Sequence, residues 1–135
     1  MNNINSDCLP PWAKIMTKSG ITIIKDLKPG TEIWSKQGWT TVKDYRFTGI
    51  KNVYSYKTIM GTLYTTDNHL VITDYFDTKE PIAIAKNLMF LDNYFTKQYP
   101  ILESNLVSTE TVYTIEVNNT SQSFWCNGFN VSGYV

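Results

Sequence analysis

Gly61-Thr-Leu-Tyr-Thr-Thr-Asp-Asn-His-Leu-Val-Ile-Thr73 decides how the rest of the chain is read. Its β-branched and aromatic residues flank Asp67-Asn68, so it reads as strand, short turn, strand, a hairpin. The turn carries the single histidine of the sequence, His69, three residues after Thr66. A Thr-x-x-His pair at a turn presents a hydroxyl and an imidazole to one point, which suits polarising a backbone amide or moving a proton. The rival reading is a structural histidine, and the pair alone does not separate the two. What stands at the two ends of the chain does.

Outward from this stretch the sequence is built of short β segments. Ile15-Met-Thr17 and Ile21-Thr-Ile-Ile24 flank Ser19-Gly20 and read as a hairpin. Pro10 and Pro11 keep the residues after Cys8 extended or bent. Lys25 to Gly30 is a turn closed by Pro29-Gly30, and Thr31 to Ser35 is a strand. Trp39 to Thr48 and Val53 to Met60 read as two strands around Gly49. Ile82 to Leu91 reads as one short helix, although its apolar residues are too continuous for periodicity to decide. Tyr99 to Leu102 is a short strand and Thr111 to Val117 a clear alternating one. Phe124-Trp-Cys126 and Phe129-Asn-Val131 form a closing hairpin around Asn127-Gly128. Many short strands at turn spacing give an all-β domain.

Composition narrows the function. At 135 residues the chain is one domain, long enough to bury a core without staples. Lys plus Arg and Asp plus Glu are 12 each, which gives no electrostatic argument for nucleic acid or an anionic membrane. No apolar run approaches the ~20 residues of a membrane helix, and the polar start Met1 to Asp7 is not a signal peptide. A cytoplasmic location fits best. The two cysteines, Cys8 and Cys126, with one histidine are too few at these spacings for a structural zinc site, so no metal is expected. Asn118, Asn119 and Asn130 each open a glycosylation-acceptor triplet, read here as chance.

Three elements line up in order: Cys8 near the start, Thr66-x-x-His69 in the middle, and the Asn127-Gly128 hairpin at the end. Here the sequence resembles the Hint family, meaning inteins, bacterial intein-like domains and the autoprocessing domain of hedgehog proteins. Cys8-Leu through Ile15-Met-Thr17 and Gly20, then Ile24-Lys-Asp-Leu-Lys-Pro-Gly30 and Ile33-Trp-Ser35, looks like the intein start. Gly61-Thr-Leu through Thr66-Asp-Asn-His69 looks like the Thr-x-x-His block. Val112 to Val117 and Phe124 to Val131 look like the two closing blocks. The resemblance covers residues 8 to about 133.

It implies an all-β horseshoe of short strands and hairpins with pseudo-two-fold character and at most one short helix. It divides the chain into a leader at 1–7, a Hint domain at 8–133 and a tail at 134–135. It also implies a chemistry. The Cys8 thiol attacks the Asp7 carbonyl and converts the Asp7–Cys8 peptide to a thioester; a thiol ionises near working pH and is a good nucleophile. Thr66 orients the peptide, and His69 polarises it and protonates the leaving nitrogen. The acceptor is water or a thiol, the partner is the flanking polypeptide in cis, no cofactor is needed, and the unit is a monomer. The place of Cys8 just after a polar leader argues against deep burial, which would mark a core cysteine instead.

The C-terminal end departs from the family. Inteins close with His-Asn followed by Cys, Ser or Thr; here Ser132, Gly133 and Tyr134 stand in those places. Without the asparagine amide there is nothing to cyclise. Thr114 stands where the Val-Tyr-Asp block has an aspartate. Asn130 is an outlying candidate for a cyclising amide, three residues early. Cys126 is a core residue or, less simply, a redox or acyl partner of Cys8. Asn68, Asp44, Asp67 and Asp74 are further polar candidates, the aspartates better read as surface residues.

Two readings of the activity follow: N-terminal cleavage without splicing, or a Hint fold whose catalysis is lost or engineered away. Two other classes compete. A β-rich binding module would line a groove with Trp12, Trp34, Trp39 and Trp125, although such aromatics are usually core. A papain-like cysteine hydrolase would pair Cys8 with His69, but the chain is short and no helix follows the cysteine.

Overall fold

The computed structural model describes residues 8–91 and 95–133. Residues 1–7 and 134–135, and with them Asp7, Tyr134 and the expected leader and tail, lie outside the described residues. The described chain is almost entirely strand. In order it forms β1 (Lys14–Thr17), β2 (Gly20–Ile23), β3 (Glu32–Ser35), β4 (Gly38–Thr58), β5 (Gly61–Thr65), β6 (Leu70–Ile72), β7 (Lys79–Pro81), β8 (Asn87–Leu91), β9 (Thr96–Pro100), β10 (Glu103–Val117), β11 (Ser123–Cys126) and β12 (Phe129–Ser132). A short 3-10 turn at Ile24–Asp26 is the one helical piece among the described residues. Every ladder is antiparallel, and the main path runs β10-β4-β3-β1-β11-β12-β6-β7.

One local device recurs in three hairpins. At Thr17-Lys-Ser-Gly20, Ser35-Lys-Gln-Gly38 and Thr58-Ile-Met-Gly61, the hydroxyl donates to the glycine carbonyl at 2.6, 2.7 and 3.1 Å. The same hydroxyl accepts the N–H two residues on, at 3.1, 3.2 and 3.0 Å. The glycine takes a left-handed φ each time (119°, 99° and 144°), a region that side chains avoid. A short side chain thus closes a turn that backbone alone would leave with unmet polar groups.

The core centres on the hairpin β11–β12, every strand residue of which is buried. Asn127 (φ 53°) and Gly128 (φ 97°) form its turn, both at positive φ as a two-residue hairpin of primed type requires. Asn127 is tied to the start of β1: its N–H donates to the Lys14 carbonyl at 3.0 Å, and its Oδ1 accepts the Lys14 N–H at 2.8 Å. Phe124 and Phe129 pack with Ile15, Ile33, Ile115 and Leu88 in the main cluster. Each such side chain, fully buried, stabilises by about 1.5–3 kcal/mol.

The structure corrects the sequence reading at four places. Residues 39–60 are not two strands around Gly49: β4 runs unbroken for 21 residues, and Gly49 sits at a register shift within its ladder with β10. The Gly61–Thr73 stretch is not a hairpin: β5 pairs with β4, whereas β6 pairs with β12 and β7, so Thr66–His69 is a corner between parts of the sheet. Residues 82–91 are not a helix. Ala85 N–H reaches back to Pro81 O at 3.1 Å for a single turn, and then Asn87–Leu91 becomes β8 between β12 and β9. Leu88, Met89 and Leu91 are all buried, as in a strand covered on both faces, and that covering overrides local helix preference. The strand expected at Tyr99–Leu102 begins earlier, at Thr96, and ends at Pro100.

Candidate functional site

The site is built where the first described residues meet the corner before β6. Leu9 and Tyr113 of β10 exchange both backbone hydrogen bonds at 2.8 Å. This bridge carries Cys8 alongside Thr114. Cys8 is fully buried, with Val53 and Val112 as apolar neighbours and Trp12 and Tyr64 packed against them. The expectation of a shallow Cys8 is therefore wrong. The bridge to β10 and the overlying aromatics enclose it, although it follows a polar stretch.

Three groups converge on the Cys8 carbonyl oxygen. Thr66 donates its N–H at 3.2 Å and its hydroxyl at 3.4 Å, and His69 Nδ1 lies 3.2 Å away. Thr66 and His69 are held at one corner because His69 N–H donates to Thr66 O at 3.3 Å and Ile82 N–H donates to His69 O at 2.8 Å. Both side chains are buried, so these bonds form away from competing water. The other ring nitrogen, Nε2, lies 3.0 Å from the Ser132 carbonyl oxygen. Carbonyl oxygens only accept, so a neutral ring donates to one of the two and an imidazolium to both. One imidazole thus joins the backbone at Cys8 to the backbone at the end of β12.

The Cys8 thiol faces Thr114, with Sγ and Oγ1 3.5 Å apart. Thr114 Oγ1 lies 2.8 Å from Thr48 Oγ1. Thr48 is a residue that sequence reasoning missed, and so is Lys79, whose Nζ donates to Ser132 Oγ at 3.1 Å and to Gln122 O at 3.3 Å. Only the Thr48-Gly49 pair inside a long β segment hinted at a bulge there; nothing local marks Lys79. Ser132 is fully buried, its hydroxyl donating to Gly133 O at 2.8 Å. Gly133 N–H donates to Gln122 O at 2.7 Å.

The remaining candidates lie elsewhere. Cys126 is buried in the main core, and burial pushes its thiol far above the ordinary range. Cys8 and Cys126 are both thiols, in different clusters, and form no disulfide. Asn130 is buried opposite Trp125 within β12, its Oδ1 without a hydrogen-bond partner among the described residues. Asn68 is exposed and shares with Thr66, Lys51 and Tyr54 the wall of an open cleft of ≈ 410 Å³. Asp44 pairs with Arg46, which holds its carboxyl below the usual range. The Thr78 side chain, with the Thr78 and Phe76 N–H groups that Asp74 accepts from, lowers the Asp74 carboxyl likewise. The tryptophans are dispersed: Trp34 packs edge-on to Trp39, Trp12 to Tyr64, and Trp125 is buried in β11. Among the described residues no group of three His, Cys, Asp or Glu side chains is arranged to hold a metal ion, and no helix is long and apolar enough to cross a membrane.

No family model matches the chain, and no curated protein matches it. Solved structures do. A DnaB intein from Synechocystis sp. PCC 6803 superposes with a TM-score of 0.84 at 22% identity, over 95% of this chain and 99% of that one. The gp41-1 intein superposes at 0.82 and 18% identity, over 93% and 98%. The VidaL intein does so at 0.75 and 15%, over 97% and 99%. The fold is that of an intein. The match runs nearly end to end in both chains, so the all-β Hint horseshoe expected from Cys8, the Thr66–His69 block and the closing hairpin is the observed architecture. In this intein fold the two backbone carbonyls on His69 belong to opposite ends of the described chain.

Proposed function

We propose that this chain is a self-processing domain that acts in cis on its own flanking polypeptide, cleaving at Asp7–Cys8 and not splicing. The observation that carries the proposal is the convergence on Cys8: two Thr66 donors and a His69 ring nitrogen on its carbonyl, and a hydroxyl on its thiol, in a fully buried setting. A core cysteine needs none of these. The Cys8 Sγ attacks the Asp7 carbonyl carbon, the C–N bond to the Cys8 nitrogen breaks, and that nitrogen takes a proton, leaving an Asp7–Sγ thioester and a free α-amine. Thr66 and His69 fix the Cys8 peptide unit, one bond downstream of the scissile one. Such fixing narrows the orientations open to a thiol that already belongs to the same chain as the carbonyl it attacks. His69, whose Nδ1 lies against the Cys8 peptide unit, is in this reading the group that passes a proton to the leaving nitrogen. Water or a thiol then attacks the thioester and releases residues 1–7. The cleft walled by Thr66 and Asn68 is a path for that acceptor.

On the other side Gly133 offers no side-chain amide, so the C-terminal peptide bond stays intact and the two flanks are not joined. A fold without activity is the second reading, favoured by the loss of the aspartate usual at Thr114. Intact mass separates the two. Freshly purified protein, with and without a thiol or hydroxylamine, should lose residues 1–7, and Cys8→Ala should keep its full mass under every condition. A full-length wild type in all conditions would sink the cleavage proposal.

A further inference from the structure

Thr48 owes its position to a break in register. In the β4–β10 ladder Gly49 lies opposite Val112 and Phe47 opposite Tyr113, so Thr48 is an extra residue with no opposite number. Such a bulge re-aims a side chain and is common beside active sites. Gly49, at φ 134°, supplies the backbone conformation. The regular ladder partner of Thr114 is Arg46, yet the side chain that reaches Thr114 Oγ1 is that of Thr48. Arg46 turns to Asp44 instead.

The three groups form a chain: Thr48 Oγ1, then Thr114 Oγ1 at 2.8 Å, then Cys8 Sγ at 3.5 Å. Burial falls along it, from the fully buried thiol and Thr114 to a half-buried Thr48. A hydroxyl has one proton to give and two lone pairs to receive with. If Thr114 donates to sulfur, it can accept from Thr48, and each bond strengthens the other. A carboxylate at position 114 would take the thiol proton as a base. Two hydroxyls have no such affinity near neutral pH, but they can donate to the thiolate that remains when the proton goes to solvent.

We propose that Thr48 is a positioning residue for the Cys8 thiol, orienting the Thr114 hydroxyl so that it donates to the sulfur as the thiolate forms. This rests on the cleavage proposal for its biological meaning but not for its test. In the ionisation step the S–H bond breaks, its proton passes to water, and the electron pair stays on sulfur, which accepts the Thr114 O–H. Thr48 supplies its own O–H to Thr114 and is chemically unchanged. Among the described residues, the titratable groups facing Cys8 include His69, on its carbonyl, and Tyr64, packed on its cluster. Arg46 lies across the ladder from Thr114, in its pair with Asp44.

The test compares wild type, Thr48→Val and Thr48→Ser in the full chain. Carbon-13 cysteine labelling follows the Cβ resonance of Cys8 against pH, with Cys8→Ala assigning it, and intact mass follows leader release over the same range. Thr48→Val, close in shape but without the hydroxyl, should raise the ionisation midpoint of Cys8 and slow release at neutral pH about tenfold, the equivalent of one unit. Thr48→Ser should restore both. A Thr48→Val midpoint equal to that of wild type would overturn the proposal, and so would a Thr48→Ser variant that behaves like Thr48→Val. Should Thr48→Val fail to fold, Thr48→Ala replaces it with the same expected shift. If wild type releases no leader, the cleavage proposal falls, while the Cys8 titration still decides the role of Thr48.

Discussion

Cys8 and Ser132 lie on the two sides of one imidazole ring, and they are provided for very differently. On the Nδ1 side, Thr66 adds two donors to the same carbonyl, and the thiol has its own chain of hydroxyls. On the Nε2 side, the Ser132 hydroxyl donates to the Gly133 carbonyl and accepts from the Lys79 ammonium, and the next residue carries no side chain. The backbone geometry around His69 is shared; the reactive side chains are not. A fold can bring two peptide units to one histidine and still surround only one of them with further donors and a thiol. Fold and site are separable in this sense.

The largest effect that could break this comparison comes from His69 itself. His69→Ala removes the group common to both sides. Leader release should slow by roughly 10²–10⁴-fold, the usual contribution of a positioned acid or base. The C-terminal side, to which the proposal gives no reaction, should show no change in mass. Stability should fall too, by about 1–3 kcal/mol, because the buried Cys8 and Ser132 carbonyls lose a partner. A release time course and a thermal melt measure these separately. Unchanged release with a lowered melting temperature would make His69 a structural link between the chain ends and nothing more.

Gly128→Ala sharpens the comparison from the scaffold side. The glycine sits at φ 97°, and an added Cβ would come within 2.7 Å of the Phe90 ring. Strain and overpacking together should cost on the order of 2 kcal/mol in a denaturant titration. Because the turn anchors β12 rather than Cys8, leader release at a temperature where the variant remains folded should be nearly unchanged. A large loss of release would mean that the closing hairpin does more at Cys8 than hold up His69.

Much of this was legible in the sequence, and the reasons for the gaps are physical. Short β-branched runs between turn residues announce an all-β chain, and the Asn127-Gly128 pair fixes its hairpin because few other dipeptides take positive φ twice. The turn at Thr66-x-x-His69 is local and legible, but it is a corner between β5 and β6 rather than the hairpin expected, because their ladder partners lie elsewhere in the chain. What failed was whatever depends on distant partners. Gly49 reads as a turn but is a bulge, because the sequence does not say that β10 continues opposite it. Residues 82–91 read as a helix because their apolar run carries no period, and only the distant ladder partners β9 and β12 make Asn87–Leu91 a strand. The contacts of Thr48 and Lys79 were hidden for the same reason: each matters through a residue more than fifty positions away.

The smallest expected effect tests whether the C-terminal side lacks only its asparagine. Gly133→Asn supplies the missing amide. The new Cβ would lie 3.1 Å from the Ile115 carbonyl oxygen and 3.6 Å from Val117 Cγ2. Both belong to β10, and the nearer is backbone, which cannot swing aside. The cost should be on the order of 1 kcal/mol in a denaturant titration. No cleavage after residue 133 should appear by intact mass, because cyclisation needs more than the amide. The Nδ2 must approach its own carbonyl carbon and the leaving nitrogen must take a proton, while the neighbouring side chain is a serine whose hydroxyl faces the Gly133 and Gln122 carbonyls and the Lys79 ammonium. Cleavage in the single variant would show instead that Lys79 can serve the leaving group. The two sides of His69 would then differ by one side chain, and the asymmetry would be a matter of one substitution rather than of a site dismantled throughout.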